Sequence, residues 1–410
     1  MARRRGIRDR GRLAAAAALT RPLALQRRPP TSGRPLDRAA LNHREDSRTM
    51  LTSLLCIAAR WGPGHARLVW TAAVVGAALV AVGGSAEGRS MCQPAWRVVP
   101  NPSVGGDKDD DHELRAVDAV SPSDAWAVGF REFRGFRALT EHWDGQAWKV
   151  VRVPRGARPL YGVAAISRRD VWAVGQDLVL HRVGNRWRVA RFGGLFLNSV
   201  TAVSTHDVWA VGRRGSPDRA SAQITYWNGR RWRETDVGFA GELFAVTALA
   251  RNDVWAVGAE RVGEIDRALI LHWDGQSWKS SPAPPGTFWL EGVTALARDD
   301  VWAGGRGVIL HWNGRRWQRF PQPPRPLFKS RDAIPVWEAI EATSPRDLWV
   351  ADSSEGVFHW NGTVWRRTWL PDRTAPSVAA ITALTPRDVW AVGSSFGSPS
   401  RPAIAHYSCP

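Results

Sequence analysis

Tyrosine and cysteine are scarce in this chain, with three of each among 410 residues. This scarcity argues against a tyrosine-based copper radical site. Long hydrophobic runs are scarce as well. Residues 68–83 form an apolar run of sixteen residues, slightly short of the roughly twenty that span a bilayer. Tryptophan, in contrast, is abundant, with 24 residues, and most of them recur at fixed positions.

The positive charge is unevenly distributed. Of the formal net charge of +18, residues 1–50 carry +9 and residues 51–91 carry +2, so that the remaining residues carry +7. A basic excess of that size over about 320 residues is typical of a solvated surface. We therefore expect no nucleic-acid partner.

The first 87 residues differ in composition from the rest of the chain. Residues 1–49 are rich in Arg, Ala and Pro and are expected to form a disordered extension. In residues 50–87, basic residues precede the apolar run 68–83 and small residues follow it, which is typical of a secretory signal peptide. The alternative is an uncleaved membrane anchor with its basic side in the cytoplasm. Both interpretations place the remaining residues outside the cytoplasm, with membrane contact only through this segment.

An Asp-x-Trp motif recurs seven times, and it defines seven repeats. Its residues are Asp124, Asp170, Asp207, Asp253, Asp300, Asp347 and Asp388, each followed by Trp126, Trp172, Trp209, Trp255, Trp302, Trp349 or Trp390. Successive motifs are 46, 37, 46, 47, 47 and 41 residues apart, a range typical of propeller blades or helical pairs. Short β-branched and aromatic runs favour strands. The sequence therefore predicts an all-β fold, a seven-bladed β-propeller over residues 92–410 with four antiparallel strands per blade.

Turn signals assign the strands within a blade. The first strand carries small residues eight and five positions before the Asp, such as Ala245 and Ala248 in the fourth repeat, which suits strands crowded around a central axis. Asp-Gly or Asn-Gly pairs close a hairpin after the third strand. The fourth strand then begins at a further Trp, namely Trp148, Trp187, Trp232, Trp278, Trp317 or Trp365.

The seventh repeat lacks this fourth strand, but Trp96–Val99 copies it near the N-terminus. We expect Trp96–Val99 to complete the last blade and to close the ring without a long unpaired edge. Cys409 occupies the position of the turn glycine, and Cys92 lies four residues before Trp96. A Cys92–Cys409 disulfide is predicted, consistent with an oxidising compartment. The alternative is two free thiols at the chain ends.

The repeats over residues 92–410 resemble the secreted bacterial β-propellers of the kelch, Asp-box and WD40-like kind. The resemblance concerns architecture alone. The chain lacks the Gly-Gly step of kelch blades, the Ser-x-Asp-x-Gly-x-Thr-Trp box of sialidase-type blades, and the Gly-His to Trp-Asp frame of WD40 blades. No active-site residues of these families can therefore be assigned to this sequence.

The repeated polar residues are interpreted as structural. A catalytic group is needed once, whereas the Asp recurs seven times and a His recurs in six repeats, at His142, His181, His272, His311, His359 and His406. Asp can cap its own turn, and His can bond across strands to Asp or Trp. Most Trp residues repeat too, which leaves Trp289 and Trp369 as candidate ligand contacts.

One position varies while its neighbours repeat. Nine residues before each Asp the chain carries Arg115, Tyr161, Asn198, Phe244, Glu291, Glu338 and Ala379. In a propeller these side chains would surround the mouth of the central channel, where a mixture of aromatic and hydrogen-bonding groups suits a sugar or a peptide. Ordinary rim residues are the alternative.

Two acidic patterns carry further hypotheses. Glu291 and Glu338 occupy equivalent positions in adjacent blades and could serve a glycoside hydrolase as a carboxylate pair. Asp107, Asp109 and Asp111 alternate like the start of a calcium loop but lack its glycine and its final glutamate, so a solvated acidic loop is the alternative. No other cofactor is expected.

The first functional hypothesis is a monomeric, non-enzymatic, extracytoplasmic propeller that binds carbohydrate or protein at the cell envelope. The second is an exported carbohydrate-active enzyme, a glycoside hydrolase or lyase, that uses the channel mouth. A structural wall-associated module is the third.

Overall fold

The computed structural model describes residues 92–102, 111–132, 135–329, 332, 334–368, 377–395 and 400–409. These residues belong to the unit Ser85–Pro410. Within them, no helix has the length and apolar character needed to cross a membrane. The predictions for residues 1–49, 50–87 and 68–83, and those for Asp107, Asp109 and Trp369, fall outside the described residues.

The described residues form β-strands joined mainly by short turns. The N-terminal segment and the first two repeats contribute β1 (Ala95–Val98), β2 (His112–Ser121), β3 (Asp124–Glu132), β4 (Phe136–Trp143), β5 (Trp148–Val150), β6 (Leu160–Ser167), β7 (Asp170–Val183) and β8 (Arg186–Ser204). The third to fifth repeats contribute β9 (Asp207–Arg214), β10 (Ser221–Trp227), β11 (Trp232–Ala250), β12 (Asp253–Val262), β13 (Ile265–Trp273), β14 (Trp278–Ser280), β15 (Leu290–Ala297), β16 (Asp300–Gly305), β17 (Val308–Trp312) and β18 (Trp317–Phe320). The last two contribute β19 (Ala339–Ser344), β20 (Asp347–Asp352), β21 (Gly356–Trp360), β22 (Trp365–Thr368), β23 (Ser377–Thr385), β24 (Asp388–Ser394) and β25 (Pro402–Ser408). Two 3-10 helices span Pro217–Arg219 and Arg325–Leu327.

Antiparallel pairing arranges the described strands in five sheets. Four sheets have four strands each, in the orders β2-β3-β4-β5, β15-β16-β17-β18, β19-β20-β21-β22 and β1-β25-β24-β23. The fifth has nine strands, β6 to β14 in sequence. It is continuous because β8 and β11, of 19 residues each, run from the last strand of one repeat into the first strand of the next. The expected all-β fold of antiparallel four-stranded units is confirmed, with the second to fourth repeats joined edge to edge.

The N-terminal strand pairs with the C-terminal strand. Ala95 lies opposite Ser408 in an antiparallel register, and the strand covers Ala95–Val98 rather than the predicted Trp96–Val99. Cys92 and Cys409 form a disulfide with their Cα atoms 5.7 Å apart, within the usual range for this bond. The fourth strand of the last sheet therefore comes from the other end of the chain.

The hydrophobic core lies between neighbouring sheets. The seven Trp residues of the Asp-x-Trp motifs are at most 3 % exposed, and each packs against strands of a neighbouring repeat. Trp126 of the first repeat, for example, packs with Leu160 and Leu180 of the second. Trp390 of the seventh repeat packs with Trp148 of the first. Large buried rings of this kind provide the main apolar stabilisation between sheets.

The glycine of the Trp-Ala-Val-Gly segment permits a β-bulge in the adjacent strand. In the fourth repeat Leu243 pairs with Gly258 and Ala245 pairs with Val257, so that Phe244 is an extra residue in β11. A Cβ atom on Gly258 would lie 2.0 Å from the carbonyl oxygen of the residue before Leu243. Only glycine allows the two backbones to approach this closely.

The same bulge recurs in β2, β6, β8, β15 and β23. The sixth repeat differs, because it has Asp352 in place of the glycine, and β19 begins at Ala339 without this bulge. The Asp352 side chain instead accepts a hydrogen bond of 2.7 Å from the Val336 amide. The glycine and the bulge are therefore present or absent together.

Candidate functional site

The variable residues are the bulged residues. A bulge leaves one residue outside the regular pairing and redirects its side chain, which is why bulges are common beside binding sites. Six of the seven variable residues occupy this extra position, namely Arg115, Tyr161, Asn198, Phe244, Glu291 and Ala379. Glu338 directly precedes β19, and its amide donates to the Ala351 carbonyl at 3.0 Å.

These seven residues line one cavity of about 660 Å³. The walls come from the first strand of every repeat, so the structure gathers side chains that are far apart in sequence. Trp289, the eighth candidate, does not line the cavity. It is half-buried, lies beneath the guanidinium of Arg306 at 5.0 Å, and hydrogen bonds to Glu291. Trp289 is therefore connected to the cavity only through its hydrogen bond to Glu291, which does line it.

Aromatic and charged side chains pack against two of the bulged residues, Tyr161 and Asn198. Tyr161 packs on Phe196 with ring centroids 4.6 Å apart, and the guanidinium carbon of Arg213 lies over the Phe196 ring, 4.6 Å from its centroid. Arg213 in turn pairs with Glu242 at 2.9 Å. Asn198 donates to the same Glu242 at 2.7 Å. The Asn198 amide and the Arg213 guanidinium are thus both held in position by Glu242.

Glu291 and Glu338 are electrostatically coupled. Burial and, after it, the negative charge of Glu338 raise the pKa of Glu291 to about 7, against the hydrogen bond from Trp289. Burial also raises the pKa of Glu338, against a hydrogen bond from Ser353 that measures 2.8 Å. Arg115 partly offsets this rise. The pair therefore has the raised pKa values that acid catalysts need.

A second variable ring, which was not predicted from the sequence, lies further along the same strands. Six residues before each Asp the chain carries Asp118, Ala164, Thr201, Thr247, Thr294, Glu341 and Thr382, and all of them line the cavity. The position varies between repeats just as the mouth position does. This variation could have identified the ring from the sequence. It was overlooked because four of the seven residues are threonines, which are common in strands.

The two carboxyl groups of this ring lie close enough to repel each other. The pKa of Glu341 rises to about 8 because the group is buried and because Asp118 is negative, whereas a hydrogen bond from Thr294 opposes the rise. Burial raises the pKa of Asp118 as well, although its carboxylate accepts a 2.7 Å hydrogen bond from the Ala165 amide. The ring is thus acidic, oxygen-lined and poorly solvated.

The repeated Asp and His residues have the structural role expected from their repetition. In six repeats the His Nε2 lies 2.7–2.9 Å from the Asp Oδ1, and the imidazole lies against the motif Trp. The third repeat has Tyr226 instead, whose hydroxyl donates to Asp207 at 2.5 Å and whose ring stacks on Trp209. None of these residues lines the cavity.

A second groove of about 640 Å³ lies between the third and fourth repeats. Its aromatic lining includes Tyr226, Phe239, Trp273 and Trp278. These rings also pack on the core between the two repeats, which gives them a structural explanation.

The calcium hypothesis gains no support from the described part of the chain. Asp111 accepts hydrogen bonds from the Ser400 amide at 2.6 Å and the Ser400 hydroxyl at 3.1 Å. This contact links the start of the first repeat to the seventh repeat. Among the described residues, no group of three or more His, Cys, Asp or Glu side chains is arranged to hold a metal ion.

No protein-family model matches the sequence, and no curated protein matches it. Solved structures show similarity of fold. The structure of YCF48 bound to D1 peptide superposes with a TM-score of 0.55 at 13% identity, covering 77% of this chain and 97% of that one. The RRP9 WD40 repeats give a TM-score of 0.56 at 13% identity, with 78% and 100% coverage.

The extracellular domain of a putative one-component system, BT4673 from B. thetaiotaomicron, gives a TM-score of 0.51 at 9% identity, covering 76% of this chain and 39% of that one. At these identities the similarity concerns the fold alone. The chain has a β-propeller repeat fold, and its structural neighbours include WD40 propellers.

Proposed function

We propose that this chain is a non-enzymatic binding module, a seven-bladed propeller whose ligand enters the cavity through the ring of bulged residues. The observation that carries the proposal is that all seven variable residues line a single cavity. Constant residues build the sheets, whereas the residues that differ between repeats converge on one space. Binding residues held on a rigid scaffold are expected at such a place.

Ring closure is part of this proposal. The packing of Trp390 with Leu114 and Trp148 joins the last repeat to the first, and the pairing of β1 with β25 completes the last sheet. A cavity lined by residues of all seven repeats fits the same arrangement. A closed ring has only short sheet edges, which favours a monomer.

A protein ligand is favoured over a carbohydrate. YCF48, one of the structural neighbours, was solved with a bound peptide, so this fold can present a peptide site. The Cys92–Cys409 disulfide and the signal-like segment at residues 50–87 support a location outside the cytoplasm, at the cell envelope. A carbohydrate ligand remains an outcome of the test.

The test is to probe residues 92–410 against peptide and glycan arrays, comparing the wild type with a Tyr161→Ala/Phe244→Ala variant. The control is Phe136→Ala, because Phe136 is an aromatic residue, 53% exposed, that does not line the cavity. The proposal predicts that binding is lost in the double variant and kept in the control. Equal binding by all three proteins would refute it. If the wild type bound to neither array, a structural wall-associated module would be favoured.

The second candidate is an exported carbohydrate-active enzyme. It is favoured by Glu291, whose pKa of about 7 suits a general acid at neutral pH. Hydrolysis of a glycan substrate that is lost in both Glu291→Gln and Glu338→Gln would establish this function. Turnover that survives both substitutions would exclude the carboxylate pair as its source.

A further inference from the structure

We propose that the deep end of the cavity binds a primary ammonium group, the side chain of a lysine presented by a protein partner. This inference rests on the proposed binding function and names the chemistry that the site selects. The binding elements are Asp118, Glu341 and the threonine hydroxyls of the second ring.

The charge of the cavity is opposite to that of the chain. The chain carries a net charge of +18, whereas the cavity lining contains five carboxyl groups and one guanidinium. The carboxyl groups are Glu113, Asp118, Glu291, Glu338 and Glu341, and the guanidinium is that of Arg115. Arg115 is paired with Glu113 at 3.0 Å, so four carboxyl groups remain for a cationic ligand. Charges in a poorly solvated cavity interact more strongly than charges in water.

The hydroxyl of Thr382 is an independent sign of a missing partner. Thr382 is only 9% exposed and lines the cavity, and within the described part of the chain its side chain makes no hydrogen bond. Its oxygen is not among the fully buried atoms without a partner, so it is accessible from the cavity, where a donor could complete the hydrogen bonding that sheltered hydroxyl groups usually have. Thr201 and Thr247 add further hydroxyl oxygens to the same ring. A donor entering the cavity would satisfy these oxygens.

An ammonium group fits this oxygen ring better than a guanidinium or a metal ion does. The ammonium is compact and has three donors that point in different directions, whereas a guanidinium needs acceptors in a planar fork. Hard metal ions usually require several carboxylates, and the described residues hold no group of three or more acidic, His or Cys side chains suited to one. Carboxylates and hydroxyls spread over several strands therefore favour the ammonium.

The length of a lysine side chain suits the distance between the bulged residues and the second ring. The second ring lies three residues beyond the bulge, which corresponds to about 10 Å of strand. A partner backbone at the level of Tyr161 and Phe244 could send a lysine side chain inward. The walls between the two levels are small residues such as Ala116, Gly162 and Ala245, which leave room for the apolar stem while the charged head reaches the oxygens.

The raised pKa values explain how the empty cavity tolerates its acids and how binding would depend on pH. Glu341, which faces Asp118 and Thr294, has a pKa of about 8, and Glu291, which faces Glu338, Glu242 and Trp289, has a pKa of about 7. Below pH 7 both groups are mainly protonated in the empty cavity, and Glu341 stays mainly protonated up to about pH 8. A cation prefers their ionised forms, so binding releases protons, and affinity rises as the pH rises through 7 and 8.

The probe for the test is n-butylammonium, which reproduces the end of a lysine side chain and stays charged over this pH range. Binding is followed by the NMR shifts of threonine methyl groups, with assignment of Thr201, Thr247 and Thr382. We expect saturable shifts at these three methyl groups and tighter binding at pH 8.5 than at pH 6. The neutral analogue n-butanol should produce no such shifts.

The variants are Glu341→Gln alone and combined with Asp118→Asn, which keep the size of each side chain. The control is Glu141→Gln, which removes another fully buried carboxyl group that does not line the cavity. We expect at least a tenfold weaker affinity for the probe in the double variant, a smaller loss in Glu341→Gln, and no change in the control. Thermal unfolding of each variant verifies that it is folded.

Three results would overturn the inference. They are unchanged probe binding in the double variant, no threonine shifts in the wild type, and a response of the ring to Ca²⁺ but not to n-butylammonium. The peptide array separates this inference from the proposed function. Peptides that bind equally with free and acetylated lysines would refute the ammonium site and leave the binding function standing, whereas indifference to Tyr161→Ala/Phe244→Ala would refute the binding function itself.

Discussion

Gly258→Ala should destabilise the fourth repeat and flatten the bulge that presents Phe244. The added Cβ would lie 2.0 Å from the carbonyl oxygen of Glu242 and 2.7 Å from the Cα of Leu243. Since non-bonded heavy atoms settle at about 3.5 Å, the two backbones would have to separate by roughly 1.5 Å. That displacement falls on the strand that lines the cavity.

The expected loss is about 3 kcal/mol of unfolding free energy, the upper end of the usual cost of overpacking, because both clashing groups are backbone. Urea denaturation gives this loss. Amide hydrogen exchange locates it, with faster exchange expected first in Leu243 and Ala245, which pair across the bulge. The same flattening should weaken any ligand that touches Phe244.

The matched control is Gly193→Ala. Nothing lies within 4 Å of a Cβ built on Gly193, and its φ is outside the positive region. We expect this variant to be neutral or more stable by about 0.5 kcal/mol, because alanine restricts the unfolded chain. If Gly258→Ala proved as stable as Gly193→Ala, the repeated glycine would not be explained by the close approach at the bulge.

Three further predictions concern residues outside the cavity. Glu141 is fully buried, and burial raises its pKa from 4.5 to about 7. The wild type should therefore lose about 3 kcal/mol of stability relative to Glu141→Gln as the pH rises from about 4.5 to 7, with little further change above. A Cys92→Ser/Cys409→Ser variant should lose stability, with about 5 kcal/mol as the upper limit, because strand pairing also holds the chain ends together. Tyr226→Phe should cost about 1 kcal/mol by removing the donor to Asp207 Oδ1, although Ser204 and Arg251 still contact this carboxylate, and Tyr226→His should recover part of this loss.

Each of these predictions has a contradicting result. Parallel pH profiles for wild type and Glu141→Gln would show that Glu141 ionises normally in the folded protein. Alkylation of both Cys92 and Cys409 without a reductant would exclude the disulfide. Equal urea midpoints for Tyr226→Phe and the wild type would show that the contact with Asp207 contributes nothing measurable.

The sheets could be predicted from the sequence because the same strand and turn signals recur in seven repeats. Asp-Gly and Asn-Gly turns, alternating residues and the displaced strand near Trp96 together located the strands, and β1 pairs with β25 as expected. The bulge was missed because a glycine in a strand signals close approach without saying which neighbour approaches. The continuous strands β8 and β11 were missed because no proline or turn signal separates the two halves, yet a strand of 19 residues is unusually long.

The candidate site was predictable where a varying residue stood out against a constant background. Phe244 and its equivalents met that condition, and the structure places them together. Asp118 and Glu341 varied as well, but their effect depends on the charge that each exerts on the other across the cavity. Such coupling requires three-dimensional proximity between repeats that are far apart in sequence. Trp289 was selected only because it lies outside the repeated Trp positions, and its side chain lies against Arg306 and does not line the cavity.

The pairing of β1 with β25 constrains the order in which the protein can be made and folded. The cysteines that flank this pair are 317 residues apart, so β1 is synthesised long before β25 and has no partner strand until β25 has been made. Contacts over such distances form late because the loop must close before they yield any stabilisation. The first of the described strands to be synthesised is therefore among the last to pair, and a chain that terminates before β25 leaves β1 without its partner.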